Sequence, residues 1–233
     1  MAGNLPLSPD SIAAAAVGIA ATDGLEAVTM RRVAGELGVS AMALYRHVAD
    51  RRALLLLMAD AATGDYALLP SGPSSWQQML GHMADAQWQA FEAHPWLLSI
   101  VLTPRRLVNM ATPAEVDLLL SQLRGAGLTE EQGFDCLLGI SAAVIGTAAI
   151  TAAAQAGPKR SDPDDHAVWR GDAVAQFPQA ARFQDRGISP AASRRSLDFV
   201  VANFIRGVEQ TLTQSPGSAA RPVSRKEENA TEK

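Results

Sequence analysis

Cysteine and aromatic side chains are scarce in this sequence, and each of these features limits the classes to which the protein can belong. Cys136 is the single cysteine, so no disulfide can form within the chain, and a reducing compartment, the cytoplasm, is expected. The first seven residues lack the basic start of a secretory signal. Aromatic residues make up 5% of the 233 residues while alanine is abundant, which favours helices over sheets. We therefore expect an all-α cytoplasmic protein.

Motifs of catalysis and of metal or phosphate binding are also missing. The sequence contains no glycine-rich phosphate loop and no paired-histidine zinc motif. His82 and His94 have no obvious carboxylate or nucleophile partner in sequence, and Cys136 lacks the local pattern of reactive cysteines. The acidic stretch Asp162–His166 contains metal-ligand residue types, but a solvated loop is the favoured interpretation. We expect no catalytic residue, no metal site and no cofactor.

Charged side chains are absent from Cys136 to Pro158, a length that can span a bilayer. Ala, Gly, Ser and Thr fill most of these positions and no aromatic belt flanks them, so a membrane-spanning helix is disfavoured. A helix buried on nearly all sides accounts better for the pattern. One face carries small residues that allow another helix to approach closely: Gly139, Ala142, Ala143, Gly146, Ala149 and Ala153.

Two short helices joined by a tight turn are predicted between residues 29 and 47. Thr29 is placed to cap the first helix, in which Val33 and Leu37 recur at helical spacing. Gly38 follows where a left-handed residue ends a helix at little cost, and Ser40 caps a second helix to about residue 47. This pattern is typical of a helix-turn-helix, whose second helix enters a DNA major groove.

A preceding helix completes a three-helix DNA-binding unit, and a longer helix follows it. Ser8 and Pro9 are typical of a helix start, and Gly24 of its end. Asp50 is placed to cap a longer helix that runs to about Tyr66. We expect the first of these helices to brace the pair and the second to link it to the rest of the chain.

Positive charge is concentrated in the same stretch. Between residues 29 and 57 there are five arginines against Glu36 and Asp50, although the whole chain has net charge −4 and pI 5.6. A planar guanidinium matches phosphate oxygens or a guanine edge. Two surface helices with solvated arginines are the alternative interpretation, because such corners are common. The predicted DNA-binding residues are Thr29, Arg31, Arg32, Ser40, Ala41, Met42, Tyr45, Arg46, His47 and Arg51.

The sequence resembles the tetracycline-repressor (TetR) family, and its tetracycline-repressor branch in particular. The likeness is carried by VTMRR at Val28–Arg32, VAGELG at Val33–Gly38, LYRHV at Leu44–Val48 and RRALL at Arg51–Leu55. It covers most of the chain and is strongest over about residues 8–61. The resemblance implies a homodimeric repressor that binds double-stranded operator DNA. It also implies that the C-terminal helices bind a small-molecule effector.

On this basis we expect three segments. They are a helix-turn-helix DNA-binding domain at residues 1–52, a helical ligand-binding and dimerisation domain at 53–214, and a disordered tail at 215–233, which is polar and of mixed charge. The alternative is an all-helical small-molecule-binding protein or enzyme without DNA binding.

A ligand pocket is predicted in the second domain. The tetracycline repressor holds its drug as a magnesium chelate through a histidine, but apolar residues surround Ile100–Leu102 where that histidine is expected. An apolar or aromatic molecule is therefore favoured over tetracycline–magnesium. The same side chains can equally form core. The candidate lining residues are Met79, Met83, Gln87, Trp96, Ile100, Met110, Leu119, Gln122 and Ile145.

The expected mechanism follows from two-fold symmetry. A dimer presents two reading helices to half-sites roughly 34–36 Å apart. Arg31, Tyr45 and Arg46 are expected at bases or nearby phosphates, whereas Arg51 and Arg52, with Thr29, Ser40 and His47, are expected mainly at the DNA backbone. Ligand binding is expected to tilt the linking helix and change the separation of the reading helices.

Overall fold

The computed structural model describes residues 7–101, 112–156, 176–186 and 190–214, and these are all-α, as expected. A 3-10 turn, Leu25–Ala27, follows the first helix. In chain order the helices are α1 (Pro9–Asp23), α2 (Met30–Glu36), α3 (Ala41–Tyr45), α4 (Arg51–Thr63), α5 (Trp76–Ala93), α6 (Leu97–Val101), α7 (Pro113–Gly125), α8 (Glu130–Ala156), α9 (Pro178–Arg186) and α10 (Pro190–Gln214).

Polar side chains cap many of the helices, including all four of the predicted starts at Ser8, Thr29, Ser40 and Asp50. Ser8, Ser75 and Thr112 form capping boxes, in which the hydroxyl accepts a hydrogen bond from the backbone N–H three residues on. The side chain of that residue accepts in return from the N–H of the capping residue. Simple caps begin α2, α3 and α4, at Thr29, Ser40 and Asp50. These contacts span three residues, which is why the starts could be predicted from local sequence.

The N-terminal helices share a core with α4. Ile12 and Ala16 of α1, Leu44 of α3, and Leu54 and Met58 of α4 are all fully buried. Helix α1 packs mainly on α4, and α2 packs on α3. The predicted bracing of the helix-turn-helix by α1 is therefore confirmed. Since α4 also contacts α6, the same helix joins this unit to the rest of the protein.

The remaining helices form a second layer built around α5 and α8. The inner faces of these two helices are apolar, and α10 packs against both. The guanidinium of Arg194 on α10 pairs with Asp85 of α5 and with Asp198 one turn along its own helix. Helices α8 and α10 approach closely at Gly139, where an added Cβ would lie 2.8 Å from the ring of Phe204. The predicted close approach of a helix to this small residue is confirmed.

One expectation for α8 is wrong at the level of a single protomer. Its inner side is buried, but Phe134, Leu138 and Ile150 are 51%, 51% and 56% exposed along the opposite side. The apolar window of α8 is long enough to cross a membrane by length and composition, yet only 39% of it is buried. The composition of α8 indicates that its side chains are buried, but it does not specify which molecule buries each side of the helix.

Two other segments differ from the expectation or lie beyond it. Helix α9 was not predicted, although Pro178 at its first position is typical of a helix start. Helix α8 ends at Ala156, and the expected solvated loop at Asp162–His166 lies outside the described residues, as does the tail 215–233.

The carboxylate of Glu115 fastens the loop after α4 to the start of α7. One carboxylate oxygen accepts from the Leu68 N–H at 2.9 Å, and the other accepts from the Thr112 N–H and hydroxyl, both at 2.8 Å. Burial alone would raise the pKa of Glu115, but these bonds and one from the Leu69 N–H together lower it below its ordinary value of 4.5. The charged form therefore stabilises the folded protein.

We expect Glu115→Gln to lower the free energy of unfolding by about 1 kcal/mol at pH 7, the size of a lost helix cap. A lowered folded pKa means that this stabilisation is complete above the unfolded pKa and is lost as pH falls through the folded value. Urea denaturation between pH 7 and pH values below 4.5 should show the two proteins converging in acid. Asp117→Asn, at an exposed carboxyl of the same helix, is the control. A loss of the same size in this control would contradict the assignment.

Candidate nucleic-acid interface and ligand site

The turn between α2 and α3 is fixed by two backbone hydrogen bonds around a glycine. The Gly38 N–H donates to Gly35 O at 3.1 Å and the Val39 N–H donates to Ala34 O at 2.9 Å. Gly38 has φ +67°, a left-handed conformation that favours glycine. This arrangement satisfies carbonyls at the end of α2 and sets the direction in which α3 leaves the turn.

Helix α3 presents an exposed face. Met42 and Tyr45 are 72% and 48% exposed, whereas Leu44 is fully buried. Ala41, a predicted DNA-binding residue, is half-buried against the core. The helix ends at Tyr45, two residues earlier than expected, because the His47 N–H donates to Leu44 O in a tighter final turn. Arg46 and His47 are exposed in this turn.

Several predicted DNA-binding side chains already have partners within the chain. The Arg32 guanidinium lies 3.2 Å from the Asp23 carboxylate. Arg51 donates from Nε to Val28 O at 3.1 Å and from Nη2 to Leu25 O at 3.2 Å, and so holds the 3-10 turn against α4. The hydroxyls of Thr29 and Ser40 accept the capping hydrogen bonds of α2 and α3, from the N–H groups of Arg32 and Ala43. These side chains therefore stabilise the helix-turn-helix itself.

Three other arginines of this region have no partner within the chain in the described residues. The side chains of Arg31, Arg46 and Arg52 are exposed, and within the described part of the chain they form no ion pair or hydrogen bond. An exposed guanidinium without an intramolecular partner keeps all five of its N–H donors for an anionic surface. The structure thus divides the predicted arginines into a structural pair, Arg32 and Arg51, and a free set, Arg31, Arg46 and Arg52.

The predicted ligand residues are mostly brought together inside the second layer. The apolar ones on α5, α6, α7 and α8, with Trp96 from the turn before α6, belong to the hydrophobic core, which continues into the N-terminal helices. Gln122 is an exception, because Leu119 and Leu123 take the buried side of α7 and leave Gln122 exposed. Met110 lies outside the described residues. The buried members are Met79, Met83, Gln87, Trp96, Ile100, Leu119 and Ile145.

A polar contact within this cluster links α5 to α8. Gln87 Nε2 donates to the hydroxyl of Ser141 at 3.0 Å, and both residues are buried. Gln87 Oε1 and Trp96 Nε1 are the buried side-chain atoms of the described residues that lack a hydrogen-bond partner. Ser141 was missed from sequence, although it is a hydroxyl on an otherwise apolar helix. Its partner lies 54 residues away, so local spacing gave no indication.

Cavities of the described residues include the following pair. One of about 170 Å³ lies between the C-terminal halves of α5 and α8 and includes Trp88, Phe91 and Leu98 in its wall. The other, of about 310 Å³, is polar and includes His82 and Asp85, beside the loop that follows α4. None of the predicted ligand residues lines either cavity.

The titratable candidates have simple surroundings. Burial and the nearby Asp135 raise the pKa of the Cys136 thiol, and a thiol held in its neutral form is a poor nucleophile. His82 has its Nε2 3.0 Å from Ala67 O. No cluster of three metal-ligating side chains occurs among the described residues, and the acidic stretch Asp162–His166 lies outside them.

Comparison with known families gives matches over most of the chain. Residues 12–58 match bacterial regulatory proteins of the tetR family, and residues 69–212 match the tetracyclin repressor-like C-terminal domain. The HTH-type transcriptional repressor DrrR1 of Streptomyces coeruleorubidus is 30% identical over 230 residues, covering 92% of this chain and 82% of DrrR1.

Solved structures agree with these matches. The protein is similar to ActR of Streptomyces coelicolor in complex with actinorhodin, with TM-score 0.68 and 26% identity over 89% of this chain and 99% of ActR. Its similarity to ActR in complex with (S)-DNPA has TM-score 0.63 and 25% identity, over 88% of this chain and all (100%) of ActR.

The distinction between structural and free arginines can be tested by measuring the stability of variants. We expect Arg51→Met to lower the free energy of unfolding by about 1–3 kcal/mol, because two backbone carbonyls lose a charged donor. Arg46→Met should change it by less than about 0.5 kcal/mol, as is usual for an exposed side chain without partners. Chemical denaturation of both variants provides the measurement. Equal losses would show that the distinction is wrong.

Proposed function

The chain belongs to the TetR family of bacterial regulatory proteins, and we propose that it is a homodimeric repressor released from its operator by a small apolar or aromatic molecule. As a member of this family it is a ligand-responsive DNA-binding transcriptional regulator. The observation that carries the proposal is the exposed face of α3 with free cations beside it. We propose a regulatory rather than a catalytic role, exercised in the cytoplasm.

DNA reading is assigned to the exposed side chains of the helix-turn-helix. Tyr45 and Arg46 lie at the end of α3, and Arg31 lies on α2, where they have no competing partner in the described structure. We propose that these three contact bases or adjacent phosphates, and that Arg52 and His47 contact the DNA backbone. Thr29, Ser40, Arg32 and Arg51 then act mainly by stabilising the helix-turn-helix.

We propose a division into a DNA-binding domain at residues 1–52 and a ligand-binding and dimerisation domain at 53–214. Helix α4 begins in the first domain and continues into the second, so the boundary falls within its first turn. Its buried residues Leu54 and Met58 pack in the N-terminal core, while the loop after it is held by Glu115 of α7. A displacement of the second domain is thereby passed along α4.

A second copy of this chain is the proposed cover for the exposed side of α8. Phe134, Leu138 and Ile150 lie there, the last two within the uncharged stretch that begins at Cys136, and an added Cβ at Gly146 would meet no atom within 4 Å. On α10, Phe199 is 72% exposed. Exposed apolar side chains on two adjacent packed helices form the kind of surface that is buried in obligate homodimers. Two-fold pairing of α8 and α10 therefore accounts for the side of α8 that the protomer leaves uncovered.

Effector binding is assigned to the body between α5, α6, α7 and α8. The candidate lining is the predicted set without the exposed Gln122, and it is apolar except for Gln87 and the indole of Trp96. Because α6 contacts both α4 and α8, a ligand that moves α6 also moves the linking helix. The coupling equals the difference between the ligand's affinities for the two arrangements, about 1–3 kcal/mol in many regulators.

We expect Arg46→Ala to weaken operator binding by about 5- to 150-fold, the range for loss of one specific arginine contact, and to reduce the slope of affinity against salt. Operator fragments selected from the host genome, titrated at several salt concentrations, provide the measurement. Arg195→Ala, an exposed arginine on α10, is the matched control and should bind as the original protein does. Unchanged affinity in Arg46→Ala with intact dimers would rule out this site assignment.

The proposed dimer surface predicts that Leu138→Glu weakens self-association at least tenfold, because two buried carboxylates then meet without partners. Sedimentation velocity over a range of concentrations measures the dimerisation constant. Leu118→Glu is the control, since Leu118 is a similarly exposed leucine (46%) on α7. A monomeric original protein, or identical dimerisation constants for both variants, would count against this surface.

A further inference from the structure

The exposed side of α3 carries an apolar side chain that the fold does not use. Met42 is 72% exposed, and in the described residues it belongs neither to the hydrophobic core nor to the side chains packed against it. Met42 and Tyr45 are the exposed large hydrophobic side chains of α1 to α4, and Tyr45 has a hydroxyl that water can satisfy. A single exposed methionine is ordinary on a protein surface, so its meaning depends on where it lies.

The packing of Leu44 fixes the side of α3 on which Met42 lies. Leu44 is fully buried and therefore sets the rotation of the helix about its axis. Met42 precedes Leu44 by two positions, which is about 200° around the helix, so it lies on the outward side. Tyr45 and Arg46 follow Met42 at the spacing that makes side chains neighbours on a helix surface. Met42 is thus adjacent to two side chains that are proposed to read the operator.

The position of Met42 along α3 also favours a contact with bases. Met42 is the second residue of the helix, whose start is capped by the hydroxyl of Ser40. In a helix-turn-helix, the residues near the start of the second helix are those that reach base edges in the major groove. Met42 is closer to that start than either Tyr45 or Arg46.

The chemistry of the major groove decides what an apolar side chain can contact there. Guanine, cytosine and adenine present hydrogen-bonding groups, whereas thymine also presents an apolar group, its C5 methyl. The thioether of methionine is a weak acceptor and donates no hydrogen bond, so Met42 placed over an amino group would leave that group unpaired. Against a methyl group, both apolar surfaces leave water at no such cost. The flexible methionine side chain can adapt to the position of that methyl.

We propose that Met42 is a specificity-determining residue, and that its side chain packs on the C5 methyl of a thymine in each operator half-site. Tyr45 and Arg46 supply polar contacts beside it, while Met42 favours thymine over cytosine, which presents an amino group and no methyl. This inference rests on the proposed function, because it assigns a base to a side chain of the same DNA-binding surface.

Replacement of thymine by deoxyuridine tests this contact, because it removes the C5 methyl and leaves the hydrogen-bonding groups of the base unchanged. An operator fragment selected from the host genome is synthesised with each thymine replaced in turn, at symmetric positions of both half-sites. Fluorescence anisotropy with the full-length protein at fixed salt measures the affinity. At one position in each half-site we expect a loss of about fourfold per half-site, the factor for one buried methyl group, and about fifteenfold for both.

Met42→Ala assigns this effect to its residue. The variant should bind the unmodified operator more weakly and should show no further loss when that thymine is replaced by deoxyuridine. Arg46→Ala is the matched control, since it also weakens binding but should keep the preference for the methyl group. Because the side chain of Met42 is exposed, Met42→Ala should unfold at the same denaturant concentration as the original protein.

The outcomes separate this inference from the proposed function. Specific operator binding without any thymine at which deoxyuridine weakens it overturns the inference and leaves the proposed function standing. A methyl preference that persists in Met42→Ala, or that is lost equally in Arg46→Ala, overturns the assignment to Met42. A protein that selects no DNA fragment overturns the proposed function itself, and the inference with it.

Discussion

The packing of α4 against α1 is the interaction on which the rest of the structure depends. Leu54 and Met58 lose all contact with solvent there, which joins the linking helix to the helix-turn-helix. Arg51 adds a polar attachment by donating to the carbonyls of Leu25 and Val28. At the other end, Glu115 ties the Leu68 N–H to the start of α7. Helix α4 therefore packs against the helix-turn-helix, and the loop that follows it is fastened to α7.

The starts of the helices could be predicted because the interactions that specify them are local. Ser8, Ser75 and Thr112 each bond to a residue three positions away, and the left-handed Gly38 needs only its own conformation. The covering of α8 could not be predicted in the same way. Its composition indicates burial, but the side carrying Leu138 is exposed in one protomer. Which partner covers an apolar side depends on association, and sequence composition does not contain that information.

The candidate site was predictable to the extent that it depends on helical periodicity. The exposed Tyr45 and the buried Leu44 follow directly from the period of α3. Which arginines remain available does not follow from it, because Arg51 reaches a carbonyl 26 residues away. For the same reason, the bond between Gln87 and Ser141 was not expected. Long-range contacts decide which of several chemically similar side chains are free to bind another molecule.

The magnitudes of these interactions explain how a small molecule can act on so large a structure. The hydrogen bonds of Glu115, like those of a helix cap, contribute about 1 kcal/mol to the stability of the fold. Two hydrogen bonds from a ligand contribute about 1–3 kcal/mol in total to its binding. A ligand shifts an equilibrium only by the difference between its affinities for the two states. Because the two energies are comparable, a ligand that binds one arrangement of the helices more tightly can outweigh the contacts that favour the other.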